Sequence, residues 1–292
     1  MHRLDLGWRL IAVGPTVLFL LVFTVVPIAL MLVMSFHDVR WEGGAAIWTW
    51  RGLANYAELG SNPFFDAALR NTFIFVVAAV LVEMVLGFAL ALLVSRLVRG
   101  RTAFLAVFLL PILIPAIVIG AIWKLMYNYD FGLFNDFVAL LGVPPQDWLG
   151  DANLALASVV LVDVWHWTSF CFLLLLAGLE SLPQDVHEAA KLDGANLWQE
   201  LRHVTVPLMW PVILVTLVTR TLLAFKVFDE VFLLTQGGPG TATEVLSFTV
   251  FRVFFDDDRE GFGSAMSISI IVMVIALLCI GALATRRRGR TA

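Results

Sequence analysis

The sequence predicts an all-α membrane protein with six transmembrane helices and with both termini in the cytoplasm. Composition is the first reason: 60% of the 292 residues are hydrophobic and only 14% are charged, whereas soluble domains are nearer half apolar and about a quarter charged. Six stretches also reach the length of about 20 apolar residues that a helix needs to cross a bilayer. Finally, lysine and arginine gather at alternate ends of these stretches, as the positive-inside rule requires.

Six apolar stretches form the predicted spans. In chain order their approximate bounds are Leu10–Phe36, Thr72–Leu97, Ala103–Tyr127, Leu154–Leu179, Val206–Leu234 and Phe262–Ala284. Lipid offers no hydrogen-bond partners, so each stretch must satisfy its own backbone groups as a helix. The first stretch is too long for the apolar region of a signal peptide and no Ala-x-Ala site follows it, so we expect it to remain as a span. We expect residues 1–292 to form a single transmembrane domain.

Basic residues predict an N-in/C-in orientation. Most of the 19 lysines and arginines then fall in inner segments, namely Arg3, Arg9, Arg96, Arg99, Arg101, Lys191, Arg202, Arg286, Arg287, Arg288 and Arg290. The acidic run Asp256–Asp258 falls outside. We interpret the run Arg286–Arg288 as a stop-transfer anchor rather than as a site for anionic lipid or nucleic acid.

One cytoplasmic loop, residues 181–207, is long and amphipathic. Ser181 followed by Gln184 matches a capping box, and Pro183 suits a first helical turn, so a helix is predicted over Pro183–Leu192. Asp193-Gly194 should end it, because glycine accepts the left-handed backbone of a helix C-terminus. A second helical piece, Ala195–His203, is expected to lead into the fifth span.

The residues of this loop resemble a known motif. The tripeptide Glu188-Ala189-Ala190 is followed after three residues by Gly194, and after nine more by Val204-x-Val206-Pro207. This is similar to the EAA loop of the membrane subunits of binding-protein-dependent ABC importers, whose form ends in Ile-x-Leu-Pro. A second segment, Thr235-Gln236-Gly237-Gly238-Pro239, resembles the Thr-x-Gly-Gly-Pro segment of maltose-type carbohydrate permeases. Together with the six spans and the orientation, the resemblance extends over about the whole chain.

The resemblance implies the ABC importer permease fold with cytoplasmic EAA coupling helices. The residues that would couple to an ATPase are Glu188, Ala189, Ala190, Asp193 and Gly194. The implied partners are a second homologous permease subunit in a heterodimer, two ATP-binding subunits, and a periplasmic or lipid-anchored solute-binding protein. An alternative interpretation of the loop is an amphipathic connector that rests on lipid headgroups. No nucleic-acid partner is expected.

Several ionisable residues lie within the predicted spans and are candidate site residues, since isolated charges are costly in a bilayer. Arg220 is expected either to line a cavity or to pair with Glu83 or Asp163, and Lys226 and Asp229 are spaced for a pair. In the maltose-type family the substrate cavity lies at mid-membrane. Carried over, its positions are Ile112, Ala116, His166, Trp167, Phe170, Arg220, Leu223, Ala224 and Val227. The last four are predicted to share one helix face.

No catalytic or nucleotide-binding motif occurs in the sequence. There is no Gly-x-x-x-x-Gly-Lys-Ser/Thr phosphate loop, and neither a His-Glu-x-x-His nor a Gly-x-Ser-x-Gly motif. Cys171 and Cys279 lie in apolar runs without the spacing of a metal site, so no metal is predicted. We therefore expect a non-catalytic translocation subunit that binds no cofactor, with ATP and magnesium held by partner subunits. Gly237-Gly238-Pro239 is expected to form an outer turn.

The predicted function is ATP-driven import of a sugar or related polyol through the cytoplasmic membrane of a bacterium or archaeon, in a multi-pass protein surrounded by membrane lipid. Glycerol-3-phosphate stays open as a substrate, because Arg220 could meet an anion. The alternative from another class is a stand-alone channel or an ion-coupled secondary transporter with Glu83, Asp163 and Arg220 as its ion path. A membrane enzyme is a third possibility, and no catalytic constellation supports it.

Overall fold

The computed structural model describes residues 2–96 and 100–288. In chain order its helices are α1 (His2–Met34), α2 (Ala54–Leu59), α3 (Pro63–Ser95), α4 (Arg101–Leu109), α5 (Ala116–Met126), α6 (Leu133–Leu140), α7 (Ala155–Glu180), α8 (Gln184–Leu192), α9 (Leu197–Glu200), α10 (Val206–Ala224), α11 (Asp229–Leu234), α12 (Leu246–Phe251) and α13 (Glu260–Arg288). Leu97, Arg99 and Arg290, which the sequence assigns to cytoplasmic ends, lie outside the described residues.

Five helical stretches in this part of the chain are long and apolar enough to cross a membrane. They are Ile11–Met34, Pro63–Ser95, Ala155–Glu180, Leu197–Leu234 and Glu260–Cys279. They correspond to predicted spans one, two, four, five and six. Five of the six spans expected from hydropathy thus correspond to these stretches, although span five is interrupted at residues 225–228.

The third predicted span, Ala103–Tyr127, is not one continuous helix. The chain forms α4, a 3-10 turn at Pro111–Leu113, and α5. Pro111 and Pro115 lack the N–H that would continue the helical ladder, and Ile114 before Pro115 is extended with ψ 128°. The expectation of an unbroken third helix was therefore wrong, although the pieces together still match the length of about 20 residues that a span needs.

Contacts along the chain separate two compact units. One comprises Met1–Asp66 and Thr249–Ala292, and the other comprises Ala67–Phe248. The single domain expected from the sequence stays a prediction.

The first unit joins the two ends of the chain. Helices α1 and α13 contact each other, and a buried apolar cluster contains Leu59, Val253, Phe262 and Met266. The side-chain amide of Asn55 donates to the carbonyls of Ser35 (2.9 Å) and His37 (3.0 Å), which fixes α2 to the end of α1.

A two-stranded hairpin in this unit is absent from the sequence-based prediction. Strands β1 (His37–Glu42) and β2 (Ala45–Trp50) pair antiparallel, with His37 opposite Trp50. Gly43 and Gly44 form the turn with φ of +59° and +83°, the positive values that two-residue hairpin turns require. The sequence signal for this hairpin is the pair Gly43-Gly44 between two segments that contain tryptophan.

Glycines bring the long helices of the second unit into close contact around α7, the most buried long helix among the described residues. A Cβ on Gly87 of α3 would lie 2.8 Å from Cys171 Cβ of α7, and a Cβ on Gly178 of α7 would lie 2.7 Å from Val212 Cγ1 of α10. Helices in membranes associate through such small residues, because close backbone approach maximises packing. The glycines therefore set the spacing of α3, α7 and α10.

The close contact at Gly87 generates a stability prediction. We expect Gly87→Leu to lower the thermal unfolding midpoint in detergent, because overpacking costs about 1–3 kcal/mol. Gly14→Leu in α1 is the matched control, since no atom lies within 4 Å of its added Cβ. Equal unfolding midpoints for the two variants would contradict the packing described here.

Candidate functional site

The cytoplasmic loop forms two short helices joined by a sharp turn at Gly194. This residue has φ +78°, which glycine adopts without a Cβ penalty. The N–H groups of Gly194 and Ala195 donate to the carbonyls of Lys191 (3.1 Å) and Ala190 (3.0 Å), so the end of α8 is capped by its own backbone. The break predicted at Asp193-Gly194 is confirmed.

The predicted start of α8 was partly wrong. The Ser181 hydroxyl donates to the Gly178 carbonyl (2.7 Å) at the end of α7, and α8 begins at Gln184 without a side-chain cap. Ser181 directly follows α7, so the orphan carbonyls of that helix are its nearest partners.

A capping box occurs instead at the start of α9. The N–H of Gln199 donates to Asn196 Oδ1, and the N–H of Asn196 donates to Gln199 Oε1, both at 2.9 Å. The second helix, expected over Ala195–His203, begins at Leu197. It continues through a π-helical turn, Leu201–Thr205, into α10.

The predicted coupling residues lie on an exposed surface of this loop. Glu188, Ala189, Asp193 and Gly194 are exposed, and Ala190 is half-buried. Apolar side chains of the same loop are also exposed: Leu192 is 89% exposed and Trp198 is 67% exposed. Exposed apolar side chains on a polar loop indicate a contact surface for another molecule.

Arg220 of α10 is the centre of a buried ion cluster. Its Nε donates to Glu83 Oε2 (2.5 Å) and its Nη2 donates to Glu83 Oε1 (2.9 Å), a bidentate geometry that strengthens the pair. The same Nη2 also donates to Asp163. All three side chains are at most 3% exposed. Arg220 therefore pairs with both carboxylates that the sequence named as candidates.

Two predicted cavity residues, Trp167 and His166, lie beside this cluster. The Arg220 guanidinium lies 4.8 Å from the centre of the Trp167 ring, and that ring contacts Phe170, with ring centres 5.9 Å apart. His166 is buried, and its Nδ1 lies 3.6 Å from Glu230 Oε1. No hydrogen-bond partner of that nitrogen occurs among the described residues.

Three of the four positions predicted on one face of span five lie in α10, and the fourth lies in the non-helical segment that follows it. Helix α10 ends at Ala224, so Arg220, Leu223 and Ala224 share it whereas Val227 follows it. Leu223 is half-buried, and Ala224 and Val227 are buried. The expected continuous face was wrong at Val227, because the backbone leaves the helix after Ala224 and resumes only at Asp229. Ile112 and Ala116 of the broken third span are both half-buried.

The outer end of span five forms a compact turn, as expected. Gly237 has φ +82°, and Thr243 Oγ1 lies 2.7 Å from the Gly238 carbonyl oxygen. The ion pair suggested for Lys226 and Asp229 is not found within the described part of the chain, where the Lys226 side chain is exposed.

Comparison with known proteins decides the family. Residues 83–290, well over half of the chain, match the family model described as binding-protein-dependent transport system inner membrane component. The chain belongs to this family. The matched range contains the coupling loop and all three residues of the buried ion cluster. This inner membrane component is accordingly a multi-pass membrane protein.

Individual relatives extend the match along almost the whole inner membrane component. The chain is 38% identical to the trehalose/maltose transport system permease protein MalF of Thermococcus litoralis, over 93% of this chain and 90% of the relative. It is 31% identical to the sulfoquinovosyl glycerol transport system permease protein SmoG of Agrobacterium fabrum, over 97% and 92%. The resemblance to maltose-type permeases is confirmed.

A solved structure shows the same fold. It is the crystal structure of a bacterial alginate ABC transporter in complex with an alginate pentasaccharide-bound periplasmic protein. The TM-score is 0.85 at 22% identity, with 98% of this chain and 96% of the other covered. The predicted ABC importer permease fold of this inner membrane component is therefore confirmed.

Two contacts of this inner membrane component escaped the sequence analysis. Glu230 is 5% exposed beside His166, whereas the sequence analysis proposed only its neighbour Asp229 as a candidate for an ion pair. His187 Nδ1 lies 2.8 Å from Glu200 Oε1 and joins α8 to α9. Neither pair has a short, regular spacing, so no local pattern could have indicated it.

The buried ion cluster generates a prediction on stability. Arg220→Met should destabilise this inner membrane component by about 3–5 kcal/mol, because it leaves buried carboxylates without a counter-charge. Adding Glu83→Gln and Asp163→Asn to the same variant should recover most of the loss. Thermal unfolding in detergent measures both, with Arg70→Met at an exposed site as the control. A triple variant no more stable than the single one would refute the cluster's role.

Proposed function

We propose that this chain is the non-catalytic, membrane-spanning subunit of an ATP-driven importer for a sugar or related polyol. The exposed Glu188–Gly194 surface carries this proposal, in a chain that belongs to a binding-protein-dependent transport family. The loop offers small side chains and an exposed carboxylate on a hydrogen-bonded pair of helices. A groove in an ATP-binding subunit can receive such a surface closely, with Glu188 meeting polar or basic groups.

The proposed assembly contains this chain, a second homologous permease, two ATP-binding subunits and a solute-binding protein. ATP and magnesium would be bound by the ATP-binding subunits, since this sequence lacks a phosphate-binding loop. The periplasmic protein in the alginate transporter structure supports a solute-binding partner. The family description, which makes binding proteins part of the transport system, supports it as well.

A neutral carbohydrate is the substrate class that the buried residues favour. The Nε and Nη2 groups of Arg220 donate to Glu83 and Asp163, and the side chain is 1% exposed, which disfavours Arg220 as a ligand of a phosphate ester. Glycerol-3-phosphate is therefore the weaker choice. Half-buried Trp167 offers an aromatic face for the apolar side of a sugar ring, and a relative named for trehalose and maltose supports the same class.

The rival function, a channel or ion-coupled carrier, depended on Glu83, Asp163 and Arg220 as an ion path. Arg220 donates hydrogen bonds to both carboxylates in a buried cluster. Such mutual pairing serves the packing of α3, α7 and α10, so no observation favours the rival.

The coupling surface generates the first functional prediction. Gly194→Trp and Glu188→Lys should each reduce sugar uptake more than tenfold while the chain still inserts, because both change the surface offered to the ATPase. Gly142→Trp is the matched control: Gly142 has φ +77°, close to the +78° of Gly194, and is equally open. Uptake in cells and co-purification of the ATPase would be measured. Normal ATPase association and uptake in both loop variants would exclude the proposal.

The aromatic face of Trp167 generates the second functional prediction. Trp167→Ala should lower uptake of labelled trehalose or maltose by about tenfold, the size of one aromatic contact, and Trp167→Phe should retain most of it. Trp210→Ala in α10 is the control, because that side chain is 49% exposed on the outer surface of the helix. If Trp167→Ala and Trp210→Ala transport equally well, Trp167 does not contact the solute.

A further inference from the structure

A cavity of about 300 Å³ opens beneath the coupling loop. Its wall combines Arg96 and Ser95 at the end of α3 with Lys191 of α8. Three leucines, Leu92, Leu179 and Leu197, complete an apolar side. His187 and Glu200, which contact each other, and Thr205 complete the lining, so the cavity presents two cations, one carboxylate with a partner and aliphatic surface. None of the five predicted coupling residues and no residue of the buried ion cluster lines it.

Arg96 and Lys191 are the charges of this cavity that lack a counter-ion. Neither forms an ion pair with a residue that the structure describes. The neighbouring charges are already matched: His187 contacts Glu200 at 2.8 Å, and Arg101 pairs with Glu180. Two unmatched cations at the mouth of one cavity indicate an anionic ligand.

The cavity is lined by other residues of α8 than the predicted coupling residues. Lys191 and the cavity-lining His187 are four residues apart and share a helix face. Glu188 and Ala189 are exposed and do not line the cavity. The lining residues thus define a site distinct from the predicted coupling residues, for a molecule other than the ATP-binding subunit.

The position of the cavity indicates the chemistry of that molecule. Leu92 and Leu179 belong to the last turns of two spans, at the end that the basic residues place in the cytoplasm. The cytoplasmic leaflet carries anionic phospholipid, and basic pockets between spanning helices on this side bind its headgroups. We infer that this cavity binds the phosphate headgroup of an anionic phospholipid, with Arg96 and Lys191 against the phosphate and the leucines along the lipid's apolar part.

The inference is testable with the full chain purified in detergent. Native mass spectrometry would compare retention of phosphatidylglycerol and of phosphatidylcholine with the same acyl chains. At roughly 1 kcal/mol for each basic residue, the two cations predict a preference of about thirtyfold for phosphatidylglycerol. The double variant Arg96→Gln, Lys191→Gln should lose this preference. Arg70→Gln, Arg202→Gln removes the same charge at exposed sites outside the cavity and should keep it.

Two further arms separate bound lipid from a soluble anion and from misfolding of the variant. The charge-preserving variant Lys191→Arg should retain the preference, which distinguishes loss of charge from loss of fold. Millimolar inorganic phosphate should fail to displace phosphatidylglycerol from the wild-type chain. Unchanged preference in the cavity double variant would overturn the inference. Displacement by phosphate would also overturn it, since the ligand would then be a soluble phosphate anion.

Discussion

The contact between Arg220 and Glu83, with Asp163 as a further acceptor, is the interaction on which the second unit depends. It joins α10, α3 and α7 at a depth where water cannot solvate a separated charge. Gly87 and Gly178 let the backbones of the same three helices approach closely. The same pairing removes Arg220 from the polar groups open to a solute and leaves Trp167 and His166 as the neighbouring candidates.

The sequence predicted those features that depend on local chemistry. Hydropathy located the long spans because the cost of burying polar groups in lipid is paid residue by residue, and the turn at Gly194 followed from the conformational freedom of glycine. The prediction from sequence failed where an apolar stretch contains residues whose backbone cannot continue a helix, or where a side chain has a nearer hydrogen-bond partner than the predicted one. Residues 103–127 are apolar throughout, yet Pro111 and Pro115 interrupt the helix. Ser181 has cap chemistry, yet its hydroxyl bonds to the end of α7.

For ion pairs between residues far apart in the chain, the sequence indicated several possible partners but not which of them pair. Arg220 is 137 residues from Glu83 and 57 from Asp163, and the sequence identified both as possible partners without deciding between them. The choice depends on how α3, α7 and α10 are rotated about their axes, which is set by packing at glycines rather than by any charge pattern. His166 and Glu230 met without a sequence signal for the same reason.

The helical backbone that begins with α9 is unbroken through the π-helical turn and along α10 to Ala224. At a rise of about 1.5 Å per residue, this stretch leads from the cytoplasmic loop to Arg220 through Pro207 and Pro211. Arg220 then joins it to α3 and α7 through Glu83 and Asp163. The ion cluster is thus also the point at which the helix that continues from the cytoplasmic loop is bonded to two other spans.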